Sequence, residues 1–327
     1  MEQAKLKFGI IGCGGMAQGH IGQLGMMPES SVVALADTSP QSIANTRARH
    51  VFARDIPAFA NYQDMLKQVP LDAVVIVTPH ALHFAPAADA LSAGLHVLIE
   101  KPFVPTVEQA QTLMTKAAEA GKLLGVAYQR HSQGQFRYMK DVVASGKIGQ
   151  IQFASVFLSQ NWYNGTRGTW RQDPKLSCGG EMNDSGSHML DMFLWLVDQK
   201  VTEVAAQVDN FDTGVDINSA LLVRFANGAI GNVAVIGHAT QWHEDLQFFG
   251  SKGSLQYLNG KVYERLFDSP YVAEVISFGP SVQVVKNFVD AILGREPLNA
   301  PADVALKVIA LTSAAFESAR TGRPTKL

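Results

Sequence analysis

The sequence predicts an α/β domain built on a parallel sheet, followed by an α+β domain built on a large, mostly antiparallel sheet. Three observations carry this expectation. Short apolar runs alternate with helix-like stretches up to about Val126, longer strand-like runs take over after Tyr128, and a glycine-rich turn directly follows the first apolar run.

In the first half the apolar runs are residues 7–11, 31–36, 73–78, 96–99 and 123–127. Between them, residues 84–93 and 107–120 repeat apolar side chains every three or four positions and stop at Gly94 and Gly121. Strand, helix, strand in that rhythm is a chain of βαβ units, which makes the sheet parallel. In the second half the runs are 150–159, 202–209, 219–225, 229–237 and 246–250, joined by turns such as Asn227-Gly228. Helices are expected at 282–293, stopped by Gly294, and at 302–321, stopped by Gly322 and Pro324. These patterns place the domains at 1–126 and 127–327, with the closing helices able to pack back on the first.

Composition narrows the function. With 327 residues, 47% hydrophobic and 17% charged, the chain has core for two domains and is not disordered. A net charge of −2, with Lys and Arg scattered, gives no field to hold nucleic acid. The longest apolar run, 72–77, is strand-sized, so no membrane span is expected, and residues 1–7 are too short and polar for a signal peptide. Cys13 and Cys178 support neither a disulfide framework nor a cysteine metal site. A cytoplasmic homodimer or homotetramer is the expectation.

Gly12-Cys13-Gly14-Gly15-Met16-Ala17 follows the first strand and opens a helix. Gly12 permits the tight turn, Gly14 lets the backbone approach a pyrophosphate, and Ala17 keeps helix and strand close; Gly15 and Met16 lie between, where the helix N-terminus meets phosphate. Such turns also occur for packing alone. Asp37 tips the balance, because it ends the second run about twenty residues on, where a carboxylate accepts from an adenosine ribose. Thr38 and Ser39 follow it, with no Arg or Lys before Arg47, so a 2′-phosphate would meet repulsion and NAD is favoured over NADP.

Thr78-Pro79-His80-Ala81-Leu82-His83 follows the third main strand, and Gly94-Leu95-His96-Val97-Leu98-Ile99-Glu100-Lys101-Pro102 the next helix. With the glycine loop they resemble the glucose-fructose oxidoreductase/inositol dehydrogenase/MocA (Gfo/Idh/MocA) family, as do Trp170-Arg171-Gln172-Asp173-Pro174 and the Gly179-to-His188 segment with Asp184. The likeness spans nearly the whole chain. His80 stands where the family usually has Asn, and Cys178 where glycine is common. The resemblance implies an N-terminal Rossmann domain and a C-terminal open mixed sheet with helices on one face, the other face inviting dimerisation and the active site lying in the cleft.

It also implies NAD-linked oxidation or reduction of a secondary hydroxyl on a sugar, inositol or related polyol. Lys101 would sit by the nicotinamide ribose and substrate oxygen, His188 would be the general base or acid, and Asp184 would bind hydroxyls or align the base. Thr78, Pro79, His80, His83, Glu100 and Gln129 would line the cofactor; Arg130, Trp170 and Arg171 would line the substrate. Trp162 and His243 are read evenly as sugar lining or ordinary packing, and His20, His83 and His96 as structural first, with His83 the exception. If 184 onward is helical, Asp184, His188 and Asp191 share a face. That spacing, with Glu181, also suits a metal ion, but a nearby Lys101 argues against one, and no metal is expected. Two rival functions remain: an NAD-dependent, redox-assisted glycosidase and a non-catalytic NAD/sugar sensor.

Overall fold

The computed structural model describes residues 5–327; residues 1–4, part of the segment in which no signal peptide is expected, lie outside the described residues. The chain divides into two compact units. One runs up to Ser132 and includes Val282–Leu306; the other comprises Gln133–Ser281 and Lys307–Leu327.

The first unit alternates β1 (Leu6–Ile11), α1 (Ala17–Met26), β2 (Ser30–Ala36), α2 (Pro40–Arg49), β3 (Ala58–Phe59), α3 (Tyr62–Gln68), β4 (Ala73–Ile76), α4 (Phe84–Ser92), β5 (His96–Ile99), α5 (Val107–Ala120) and β6 (Leu124–Val126). All pairings are parallel, in the order β3-β2-β1-β4-β5-β6, so this is a doubly wound Rossmann sheet whose strand order reverses between β1 and β4. Helices on both faces explain why its strands read as unbroken apolar runs rather than alternating ones. Thr106 caps α5 by accepting Gln109 N–H, and Gly121 ends it at φ +62°.

The second unit begins with α6 (Gly134–Ala144) and β7 (Ile151–Asn161), followed by two short turns of helix, α7 (Trp162–Gly165) and α8 (Pro174–Ser177), and by α9 (Gly186–Val197). Then come β8 (Val201–Asp209), β9 (Asn218–Phe225), β10 (Ile230–Ile236), β11 (His238–Gly250), β12 (Gly253–Leu258), β13 (Lys261–Leu266) and β14 (Ala273–Val275). After α10 (Val284–Ile292) and α11 (Ala302–Thr321), the two-residue β15 (Thr325–Lys326) joins the sheet edge. The order is β14-β13-β12-β11-β7-β10-β9-β8-β15, antiparallel except between β7 and β10. Strict alternation of burial along β9 and β10 gives the sheet one packed face and one open face.

α10 belongs to the first unit's core: Val285, Phe288 and Val289 pack with Phe8, Ile10, Ile21 and Leu24. Besides the two-residue β3 and β15, the strands β12 to β14 were not expected. β12 pairs with β11, β13 with β12 and β14 with β13, all antiparallel, so the register of each neighbour organises the next strand. Asp184 is a second departure: it lies in the turn before α9, not in the helix.

Candidate active site

At the carboxyl ends of the first unit's strands the predicted cofactor residues are tied together. Gly12, at φ +91°, lies so close to β4 that a Cβ there would stand 2.6 Å from Val77 O, which only glycine accommodates. Gly14 and Gly15 are the opposite case: a Cβ on either meets nothing within 4 Å, so the space over the loop is open. Met16 precedes α1 with no side-chain cap, leaving the helix start to the backbone. A pyrophosphate fits such a cradle.

Asp37 is anchored on both oxygens. Oδ2 accepts Cys13 N–H and Oδ1 accepts Ser39 N–H, each at 2.7 Å, which fixes the carboxylate against the loop. Burial, with Asp37 close by, pushes the Cys13 thiol up to about 12, so it stays protonated at neutral pH. Arg47, the nearest cation in sequence, is committed to Ile56 O at 2.8 Å.

The loops after β4 and β5 are joined by His83. Its Nε2 lies 2.9 Å from Thr78 O, and its Nδ1 2.9 Å from Pro102 O and 3.0 Å from Phe103 O. The ring is 0% exposed, and burial first of all depresses its pKa. His83 therefore braces the two loops that carry Thr78 and Pro102. Pro79 opens the short turn holding His80, which is buried. Thr78 Oγ1 is buried and, among the described residues, has no hydrogen-bond partner, so a polar group of the cofactor suits it.

Glu100 and Lys101 follow β5, and the Lys101–Pro102 bond is cis. Glu100 Oε1 lies 2.7 Å from His20 Nε2, and Oε2 accepts Lys101 N–H at 3.0 Å. Burial raises the pKa of Glu100, but the His20 hydrogen bond and the nearby His20 and Lys101 charges outweigh it and hold the carboxyl below its usual range. His20, read from sequence only as structural, thus orients the Glu-Lys segment. Gln129 is exposed and Arg130 buried in the turn Gln129–Ser132.

The second unit assembles the other group of predicted residues. Asp184 Oδ2 accepts Trp162 Nε1–H at 3.0 Å and Arg171 Nε–H at 2.9 Å, while the Arg171 guanidinium lies 4.6 Å over the Trp170 ring. Trp162 is buried, and its indole N–H buttresses Asp184. His188, half-buried, occupies the first turn of α9, and Asp191 is fully buried one turn further on. Gln160, absent from the sequence reading, reaches Glu181 at 2.5 Å and Ser185 Oγ at 2.6 Å. His243 lies on β11, bonded to Asp245 and Asn259. Cys178 ends α8 at φ +57°, which explains why glycine suits that position.

Known proteins match both units. Residues 6–128 match the model of the oxidoreductase family with an NAD-binding Rossmann fold, and residues 136–256 that of the GFO/IDH/MocA C-terminal domain. Among curated relatives, the rhizopine catabolism protein MocA of Rhizobium meliloti is 26% identical over 96% of this chain and 95% of its own length. A 1-carboxy-3-chloro-3,4-dihydroxycyclohexa-1,5-diene dehydrogenase of Comamonas testosteroni is 28% identical over 72% of this chain, the match spanning only 58% of that relative. The WlbA dehydrogenase of Bordetella pertussis, solved with NADH and UDP-GlcNAcA, superposes with a TM-score of 0.87 at 25% identity, covering 99% of both chains. Among the described residues, no helix is long and apolar enough to cross a membrane. Matched in both units by its domain models, the chain belongs to the Gfo/Idh/MocA family of NAD-binding oxidoreductases.

Proposed function

We propose that the protein is an NAD-dependent dehydrogenase acting on a secondary hydroxyl of a sugar, cyclitol or related polyol. The observation that carries this reading is the Asp184 cluster: a buried carboxylate oriented by Trp162 and Arg171, with His188 in the adjoining first turn of α9. When bound, the nicotinamide supplies the hydride acceptor or donor. His188 takes the hydroxyl proton during oxidation and returns it during reduction. Lys101 steadies the charge that develops on the substrate oxygen. Asp184 accepts from a neighbouring hydroxyl or aligns His188, and the stacked Trp170–Arg171 pair offers a face to the ring. Arg130 contributes to the substrate side, and Gln129, His80 and Glu100 to the nicotinamide side.

NAD is preferred over NADP because the Asp37 carboxylate is pinned in place and Arg47 is engaged elsewhere. The unpaired thiols Cys13 and Cys178 suit a reducing cytoplasm. The open face of the nine-stranded sheet carries Phe153, Leu222 and Phe249, 38%, 56% and 37% exposed, and a second copy of the chain would cover it.

The test is absorbance at the NADH band while protein and NAD⁺ meet a panel of aldoses, inositols, sugar acids and amino sugars. A rise with one stereochemical group, weaker with NADP⁺, supports the dehydrogenase. Silence with retained NAD binding overturns it, and glycoside cleavage would then separate a redox-assisted glycosidase from a sensor.

A further inference from the structure

The turn that carries Asp184 does not hold itself. Three successive backbone N–H groups in it are taken up by one residue from the loop between β8 and β9. Gly180 N–H and Met182 N–H donate to Asp216 Oδ1 and Oδ2 at 2.5 and 2.7 Å, and Glu181 N–H donates to the Asp216 carbonyl at 2.9 Å. The held turn then passes its geometry on: Asp184 N–H bonds back to Gly180 O at 2.9 Å, and Gly186 N–H, at the start of α9, to Glu181 O at 2.8 Å. Gly180 is obligatory for the fit, because a Cβ there would stand 1.8 Å from the Asp216 carbonyl.

We propose that Asp216 is a positioning residue for the substrate site, its carboxylate clasping the 180–182 turn so that Asp184 meets Trp162 and Arg171 in one fixed orientation. A carboxylate is the side chain for this task. It offers two acceptor oxygens to two donors that point at it, whereas an amide would present one acceptor and turn its NH₂ group toward an N–H. Asp216 is buried, and burial raises its pKa while the N–H bonds from Met182 and Gly180 draw it down. A carboxylate buried with no cation paired to it among the described residues is costly for stability alone and is explained by the geometry it imposes.

The inference rests on Asp184 being a substrate-contacting group, but its test does not depend on turnover. The chain has four tryptophans, and the Trp162 indole N–H reports directly on Asp184. In protein labelled with ¹⁵N-tryptophan, W162F assigns that signal and D184A marks its position without the carboxylate. D216N is expected to move the Trp162 signal most of the way to the D184A position while Trp195 and Trp242 stay in place. With any substrate the panel identifies, D216N should raise KM about tenfold and leave NADH affinity within about twofold. Should D216N not fold, D216E, which keeps the charge and both acceptors but displaces them by one methylene, is read in the same way. A Trp162 signal unmoved in a folded Asp216 variant overturns the proposal; no turnover by the unmutated protein overturns only the dehydrogenase reading.

Discussion

His20 and Glu100, separated by 80 residues, meet with Nε2 and Oε1 2.7 Å apart where both side chains are buried. The pair ties the helix after the glycine loop to the strand end that presents Lys101. Removing the imidazole in His20→Ala leaves a buried carboxylate short of its partner, at an expected cost of about 1–3 kcal/mol in urea unfolding. The pH dependence has a definite sign. The folded pKa of Glu100 lies below its ordinary value of 4.5, so its contribution is present above pH 4.5 and lost as the pH falls through the folded value. Stability of the H20A protein should therefore decline less steeply below pH 4.5; an unchanged slope counts against the pairing.

Gly12 and Gly14 make opposite predictions although they are two residues apart. Gly12→Ala forces a Cβ against Val77 O at a positive φ and should cost more than about 2 kcal/mol. Gly14→Ala meets open space, so its unfolding free energy should stay within about 0.5 kcal/mol while NADH affinity falls at least about tenfold. Thermal unfolding beside an NADH fluorescence titration separates the two effects.

Lys101→Ala tests the chemistry. NADH binding should change by no more than about twofold, and kcat should fall by about 10²- to 10⁴-fold on the substrate found by the panel. Full activity in this variant would remove Lys101 from the mechanism.

Cys178 holds a left-handed backbone that costs a side chain about 1–2 kcal/mol. Cys178→Gly should raise stability by about 0.5–1 kcal/mol, since part of the relief is lost to the greater freedom of unfolded glycine. A lower urea midpoint would show that the thiol's packing outweighs the strain.

The sequence alone determined the parallel first sheet and the glycine loop with Asp37 at the next strand end, and its motifs put forward Lys101, Asp184 and His188 as the residues proposed to carry the chemistry. Those signals are local: a strand period, a turn that only small residues can make, or a short motif at a strand end. The tertiary structure decided what holds these residues. It set His83 between two loops and Trp162 against Asp184, drew His20 to Glu100 beside Lys101, and let Asp216 clasp the turn before α9 in which Asp184 lies. The outer strands β12 to β14 likewise took shape by successive pairing, β12 on β11, β13 on β12 and β14 on β13. The side-chain contacts join residues 19 to 80 positions apart, where no local period records the partner, so only the packed fold brings donor and acceptor together.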